Sequence, residues 1–329
     1  MENIQDTKKR TFSNYLLLYV KGIAIGACDI VPGISGGTIA FISGIYEELI
    51  NSLRLFVPKN FKLIFQGKIK TFWKAVNANF LLAVALGAGT SLITLVKYVL
   101  YMLDTYPVVS WSFLFGLVFI STISVLKKIR KTTVTVVICF VVGVLLAFLI
   151  TSLSAAQTPN ELWFIFISGA VAICAMILPG ISGTFILLLM GKYQYMLTAL
   201  NEFKVTVLAV FASGVIIGLL SFSHFLSWLL RKYHDVTVAL LAGVMFGALN
   251  KVWPWKTQVD MLTNKEWAWS MEKFNDNSLS LLEKTYLPQT FEKITGNPAQ
   301  IQWAIAAAAL AVVFFLTIET IGKKMGQRH

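Results

Sequence analysis

Residues 27–49 read ACDIVPGISGGTIAFISGIYEEL, and residues 174–196 read CAMILPGISGTFILLLMGKYQYM. The motif Pro-Gly-Ile-Ser-Gly stands in both stretches, at 32–36 and at 179–183, each time inside an apolar run. Proline lacks an amide hydrogen and disfavours helix in the residue before it, and glycine tolerates conformations that other residues avoid. Both stretches are therefore predicted to interrupt a helix, and the fold depends on where those interruptions lie.

The composition places this chain in a membrane. Of its 329 residues 57% are hydrophobic and 13% are charged, and the mean hydropathy is +0.72, outside the range of soluble globular domains. Alternating strand patterns are absent, and a helix satisfies its own backbone hydrogen bonds in lipid. We predict an all-α polytopic membrane protein, because about 20 apolar helical residues cross the hydrocarbon core. The predicted spans are 80–103, 108–126, 134–152, 205–230, 236–253 and 300–321.

Positive charge marks one face of this protein. The formal net charge is +12, and clusters of Lys and Arg alternate along the chain with loops, at 104–110 and 151–161, that contain neither residue. Because basic loops stay in the cytoplasm, we predict cytoplasmic N- and C-termini and a basic amphipathic cytoplasmic segment at about 51–79. This distribution favours membrane orientation over nucleic-acid binding, and the basic rim can attract anionic lipid head groups.

The helix after each motif is too short to cross the bilayer. About eight apolar residues follow Gly37 before Glu47, and a similar number follows Gly183; in a helix they extend about 12 Å, roughly half the bilayer. We therefore predict two re-entrant hairpins, at about 12–50 and about 162–202.

The two motifs belong to an internal duplication. Aligning them also brings Gly44 onto Gly191, and we divide the chain into a first repeat, 1–152, and a second, 153–329, each with one hairpin followed by three spans. Since three is odd, the second repeat must enter the membrane upside down, as in the inverted repeats of secondary transporters. The second repeat also contains a predicted extracytoplasmic loop, 254–299, whose tryptophans favour helices lying on the outer leaflet.

The start of each outgoing helix is the candidate binding site. Ser35 and Ser182 are placed to cap these helices, and free amide hydrogens at a helix start favour an anion, as does the macrodipole. Two such starts from opposite faces would form one phosphate-sized cradle at the membrane midplane; kinks used only for tight helix packing are the alternative. The predicted phosphate-binding residues are Ser35, Gly36, Gly37, Thr38, Ser182, Gly183 and Thr184.

Ionisable residues in apolar surroundings are candidates for coupling ions or for steering the anion. Asp29 precedes the first motif, where a carboxylate can carry a proton or bind a sodium ion; a helix cap or a pair with Lys21 is the alternative. For Glu47 and Glu48 the alternative is a solvated helix end, and for Arg54 it is anchoring by the positive-inside rule. Lys97 lies near enough to the end of a span to extend its charge to the membrane surface. The three histidines and three cysteines are scattered, so we predict no metal and no cofactor. The coupling or steering candidates are Asp29, Glu47, Glu48, Arg54 and Lys97.

The doubled motif also carries a family resemblance. The stretches DIVPGISGGTIAFISGIYEEL and MILPGISGTFILLLMGKYQYM resemble the PopT family of bacterial polyprenyl-phosphate transporters, over nearly the whole chain. The resemblance implies a flippase in the bacterial cytoplasmic membrane that returns undecaprenyl phosphate, the lipid carrier of wall polymers, from the outer to the inner leaflet. It also implies that the partner of this protein is a lipid and not a nucleic acid.

Two other functions compete with this interpretation. Undecaprenyl-diphosphate phosphatases also resemble inverted-repeat membrane proteins, but they carry an arginine after the serine of a re-entrant motif, where this chain has Gly36 and Gly183. The cationic group that such an arginine provides for phosphoryl transfer is therefore missing. No histidine lies near either motif to act as the partner of a nucleophile, so we predict that the chain is not an enzyme. A channel or secondary transporter for small anions would use the same helix starts, and this remains the main alternative.

Overall fold

The computed structural model describes residues 10–29, 35–153, 158–260, 266–268 and 281–326. Most of these residues are helical, as the composition predicted.

The first half of the chain contains nine helices among its described residues. They are α1 (Phe12–Asp29), α2 (Gly36–Ile42), α3 (Tyr46–Leu53), α4 (Pro58–Phe65), α5 (Ile69–Ala75), α6 (Ala78–Thr94), α7 (Val96–Thr105), α8 (Pro107–Leu126) and α9 (Val134–Ser152).

The second half contains helices and three short strands. They are α10 (Leu162–Ile177), α11 (Gly183–Leu189), α12 (Tyr193–Asn201), α13 (Val205–Lys232), α14 (His234–Gly247), a 3-10 turn (Ala248–Asn250), β1 (Lys256–Asp260), β2 (Glu266–Ala268), β3 (Leu281–Thr285), α15 (Pro288–Thr295) and α16 (Ile301–Gly326).

Both motif stretches interrupt a helix, as predicted. Helix α1 ends at Asp29 and α2 begins at Gly36, while α10 ends at Ile177 and α11 begins at Gly183. Pro32 of the first motif lies outside the described residues. Helices α2 and α11 have seven residues each, and seven helical residues extend only about 10 Å. Their length agrees with hairpins that enter and leave on one side, which stays a prediction.

Three helices are each long and apolar enough to cross a membrane, namely α8, α9 and α13. A fourth span results if α5 and α6, which are bent by 71° relative to each other, are counted together. Helices α10, α14 and α16 contain shorter apolar segments. The region 80–103, predicted as one span, is divided between α6 and α7, which meet at Leu95. The chain is therefore an integral membrane protein built mainly from helices.

The long helices pack in four pairs. Helix α1 packs on α6 in the first half, and α10 packs on α13 in the second. The remaining pairs, α8 with α16 and α9 with α14, each join one helix from either half. A twofold relation between the halves would produce this pattern, and the opposite insertion of the two halves stays a prediction.

Glycine allows two of these pairs to approach closely. A Cβ atom at Gly87 of α6 would lie 2.1 Å from the carbonyl oxygen of Tyr19 in α1. A Cβ atom at Gly214 of α13 would likewise lie 2.1 Å from the carbonyl oxygen of Phe166 in α10. No side chain fits at such distances, so these contacts depend on glycine, as in other tightly packed membrane helices.

The largest apolar core among the described residues surrounds helix α2. Phe41 of α2 and the following Tyr46 are 3% and 2% exposed, and Phe80, Met245 and Phe315 from three other helices belong to the same cluster. These large side chains pack against one another, and such van der Waals packing stabilises the association of helices within a membrane. Helix α2 is therefore a central element of the molecule.

The predicted loop 254–299 contains a sheet, which departs from the all-α prediction. Strand β1 lies between β2 and β3 and is antiparallel to both, with Gln258 opposite Trp267 and Glu283. Thr257 and Gln258 are fully buried. A strand is normally identified by its alternation of apolar and polar residues, and two successive buried polar residues interrupt that alternation. For this reason the sequence predicted interfacial helices here.

A buried lysine fixes this sheet to the start of α8. Lys256 is 1% exposed, and its Nζ donates to the carbonyl oxygen of Lys251 at 2.9 Å. The same Nζ lies 3.5 Å from Glu283 Oε2 and 3.3 Å from the ring centroid of Trp111. Burial lowers the pKa of Lys256 to about 7, so the side chain can lose its proton near neutral pH instead of remaining a buried charge.

Candidate functional site

The two motif regions are in direct contact. The hydroxyl of Ser35 donates to the carbonyl oxygen of Met176 at 2.9 Å, and the hydroxyl of Tyr46 donates to the carbonyl oxygen of Ile177 at 3.1 Å. Both acceptors lie in the last turn of α10, where carbonyl groups lack partners within the helix. The first hairpin therefore completes the hydrogen bonding of the helix that enters the second hairpin.

A further hydrogen bond joins the motifs themselves. The amide of Gly180 donates to Thr38 Oγ1 at 2.8 Å, and both residues are buried. Gly180 has φ +92, and a Cβ atom there would lie 2.9 Å from the Cα of Met245. This left-handed conformation favours glycine, so the second motif can present its amide to Thr38 only with glycine at this position.

The amide groups at the start of α2 already have hydrogen-bond acceptors within the protein. The amide of Gly36 donates to Asp29 Oδ1 at 2.6 Å, and the amide of Gly37 donates to Ser35 Oγ at 3.1 Å. Ser35 thus caps α2, as predicted. The amides of Gly36 and Gly37 are not free, however, because a carboxylate and a hydroxyl of the protein already occupy them.

The start of α11 differs. Ser182 is 5% exposed and makes no capping hydrogen bond. Within the described residues, no hydrogen bond to the amides of Gly183 and Thr184 is found. Met176 occupies the position in this half that Asp29 occupies in the first. The second motif therefore lacks the carboxylate that occupies the start of α2 in the first.

Glu48 lies in a polar network at the other end of the first hairpin. Arg10 donates to both oxygens of Glu48, at 2.6 and 2.8 Å, and Asn77 Nδ2 donates to Glu48 Oε1 at 2.8 Å. Asn77 Nδ2 also donates to Ser52 Oγ at 3.2 Å. These contacts tie α3 to the segments before α1 and α6, and Glu48 is not brought to the motifs.

The remaining coupling candidates also lie away from the motif contact. Glu47 is exposed, and His234 Nε2 lies 3.5 Å from its Oε1. Arg54 is the half-buried C-cap residue of α3, and Lys97 is exposed on α7. Of the predicted coupling residues, Asp29 alone contacts a motif residue through a described hydrogen bond.

Two lysines that the sequence did not assign to the site hold the end of α2. Lys21 Nζ donates to the carbonyl oxygen of Ser43 at 2.7 Å, and Lys128 Nζ donates to the carbonyl oxygen of Phe41 at 3.4 Å. Cations stabilise the C-terminal end of a helix. The interruption of an apolar run by Lys21 was the available signal, whereas the contact of Lys128 depends on the tertiary fold.

The described residues contain no metal site. No group of three or more His, Cys, Asp or Glu side chains in this part of the chain could hold a metal ion.

Comparison with known proteins gives consistent results. A family model described as undecaprenyl phosphate translocase-like matches residues 25–269. A curated polyprenyl-phosphate transporter of Vibrio cholerae serotype O1 is 41% identical over 311 residues, which cover 94% of this chain and 98% of that protein. A polyprenyl-phosphate transporter of Staphylococcus aureus is 30% identical over 254 residues, covering 71% of this chain and 85% of that protein. No solved structure matches the chain significantly.

Proposed function

Because this chain belongs to the undecaprenyl phosphate translocase-like family, we propose that it carries undecaprenyl phosphate across the bacterial cytoplasmic membrane, from the outer to the inner leaflet. Its relatives in Vibrio cholerae and Staphylococcus aureus are named polyprenyl-phosphate transporters. The main barrier to such movement is the removal of water from the charged head group, since the prenyl chain can stay in lipid. The protein must therefore supply a polar site for the phosphate.

The contact between the two motifs carries this proposal. The hydrogen bond from Gly180 to Thr38 joins the two motifs, although they are far apart in sequence, and this contact supports a single site formed by both. The phosphate binds at the start of α11, where Ser182 and Thr184 offer hydroxyls and Gly183 and Thr184 offer amides. The first motif, Ser35–Thr38, forms the opposite wall. Inverted hairpins of this kind would expose the site alternately to the two leaflets.

Asp29 is the proposed coupling residue. Its carboxylate occupies the start of α2 through the amide of Gly36, where it competes with a second negative charge for the same helix end. Protonation of Asp29 removes this competition, so the phosphate then meets the positive ends of both α2 and α11. Loss of the proton reverses the change and favours release. Glu47 and Glu48 of α3 and its C-cap residue Arg54 steer the head group at its point of exchange with the leaflet, Arg54 by attraction and the two carboxylates by repulsion. Lys97 has no part in this scheme.

Transport by reconstituted protein tests the binding site. In vesicles with undecaprenyl phosphate supplied on one leaflet, we expect the double variant Ser182→Val and Thr184→Val to transport at least about a hundredfold more slowly. Each removed hydroxyl costs a hydrogen bond to a charged group, worth about 1.5–3 kcal/mol. Ser152→Ala, at an exposed serine on α9, is the matched control. Transport at the normal rate by folded double variant would contradict the proposal.

The same vesicles test coupling and the competing functions. With an imposed pH gradient, the native protein should transport faster in one direction, and Asp29→Asn should abolish this response, because an amide carries no proton at these pH values. Equal acceleration of Asp29→Asn by the gradient would exclude Asp29 as the coupling residue while leaving the phosphate site intact. Flux of inorganic phosphate instead of lipid would favour a small-anion transporter, and phosphate release from a diphosphate lipid would favour an enzyme.

A further inference from the structure

The segment of α4 and α5 has no counterpart in the second half and takes no part in the motif contact. A turn at Gly67 connects the two helices. The segment is held together by its own aromatic side chains: the ring centroids of Phe56 and Phe61 are 6.3 Å apart, and those of Phe61 and Phe72 are 5.6 Å apart. It is therefore a small preformed element attached to the outside of the helical core.

The apolar surface of this segment is not covered by the rest of the chain. Phe65 is 88% exposed and Ile69 is 60% exposed, and Ile64 and Trp73 are also exposed. A soluble protein would bury or avoid such a cluster. Exposure of two large apolar side chains at the tip of a helical turn indicates contact with an apolar medium.

Five lysines surround the same apolar side chains. They are exposed, and the sequence contains no Asp or Glu between Glu48 and Asp104. Within the described residues, no carboxylate forms an ion pair with any of them. The segment therefore presents a strongly cationic surface. These lysines are Lys59, Lys62, Lys68, Lys70 and Lys74.

The angle between α5 and α6 gives the orientation of the segment. The two helices are bent by 71° relative to each other. If α6 crosses the membrane with the usual tilt of about 20°, α5 runs close to the membrane plane. Trp73 lies in α5, and its Nε1 donates to Asn79 Oδ1 at 2.6 Å near the start of α6. Tryptophan is typical of this interfacial depth.

We propose that α4 and α5 form an interfacial foot that binds the anionic phospholipid head groups of one leaflet. The exposed apolar side chains enter the acyl boundary, and the five lysines contact phosphate groups around them. Phosphatidylglycerol provides the required chemistry, a negative charge at the membrane surface in a bulk lipid. This surface is separate from the site proposed for the transported lipid, so neither proposal depends on the other.

Energy transfer between the foot and labelled lipids tests the proposal. A donor fluorophore is attached to Phe65→Cys after Cys28, Cys139 and Cys174 are replaced by alanine, and the full chain is reconstituted in mixed phosphatidylcholine and phosphatidylglycerol vesicles. In separate samples, a small fraction of either the phosphatidylcholine or the phosphatidylglycerol carries the acceptor fluorophore. We expect enrichment of phosphatidylglycerol near residue 65. Replacement of all five lysines by glutamine should lower this enrichment about tenfold or more, whereas replacement by arginine should preserve it.

A second label provides the matched control. Phe203 is 80% exposed in the turn between α12 and α13, beside the ion pair of Glu202 and Lys204, and a fluorophore at Phe203→Cys should report no enrichment. Thermal unfolding must be unchanged in the glutamine variant, since its lysines form no ion pairs in the described structure. Enrichment that survives the glutamine substitutions, or equal energy transfer to phosphatidylcholine and phosphatidylglycerol near residue 65, would overturn the proposal.

Discussion

Asp29 and Met176 occupy equivalent positions ahead of identical motifs, and this single difference changes the chemistry of the two sites. The carboxylate of Asp29 accepts the amide of Gly36, whereas a methionine side chain cannot act in this way at the start of α11. The serine that follows caps its helix in the first motif but not in the second. Two copies of the same five residues therefore begin one helix that its serine caps and one helix that its serine does not cap.

The hydrogen bond between Thr38 and Gly180 leads to a prediction at the same scale. Thr38→Val keeps the volume of the side chain but removes the acceptor, so the buried amide of Gly180 loses its partner. An unsatisfied buried amide costs about 1–3 kcal/mol. We expect a lower midpoint of thermal unfolding in detergent, with near-normal stability for Thr38→Ser, which retains the hydroxyl. Equal stability of the valine and serine variants would show that this bond contributes little.

At the scale of elements, the sequence predicts helices better than it predicts their contacts. Proline and glycine in the repeated motif predicted both helix interruptions, and apolar length predicted α8, α9 and α13. The sheet was not predicted, because Thr257 and Gln258 are buried although they are polar. Strand β1 therefore has no alternation of apolar and polar residues that would identify it. The break at Leu95 has no proline or glycine beside it, so no local signal divides α6 from α7.

The candidate site shows the same division between local and tertiary information. Capping of α2 by Ser35 follows from local sequence. The use of Met176 and Ile177 as acceptors depends on the position of α10 against the first hairpin, which no local pattern encodes. For the same reason, the sequence predicted free amides at both motifs, where the structure has them engaged in the first.

Close packing of α1 on α6 can be tested with two glycines of one helix. Gly87→Ala places a Cβ atom 2.1 Å from the carbonyl oxygen of Tyr19, whereas a Cβ atom at Gly89 has no neighbour within 4 Å. We expect Gly87→Ala to destabilise the protein by about 1–3 kcal/mol through overpacking. Gly89→Ala should be neutral or stabilise it by up to about 1 kcal/mol, because alanine favours helix. Unfolding midpoints of the two variants provide the comparison, and identical midpoints would contradict this account of the interface.

At the scale of the whole molecule, the two halves are interlaced. The pairs α8 with α16 and α9 with α14 each take one helix from either half, and the motif contact adds hydrogen bonds between the halves. The halves are therefore not two independently packed bodies.

This interlacing predicts that separate halves will assemble. The chain can be divided between Ser152, the end of α9, and Leu162, the start of α10, and the two fragments produced together with an affinity tag on one of them. We expect the untagged fragment to copurify with the tagged one, since each fragment lacks the packing partners that the other provides. Recovery of the tagged fragment alone, in a folded state, would show that the contacts between the halves are dispensable.

The carboxylate at the start of α2 has a consequence for the barrier function of the membrane. In the proposed scheme, the carboxylate of Asp29 repels chloride and other small anions from this helix end while it holds the amide of Gly36. Replacement of Asp29 by a neutral residue would remove this repulsion, so vesicles that contain such a variant should lose chloride faster than vesicles that contain the native protein.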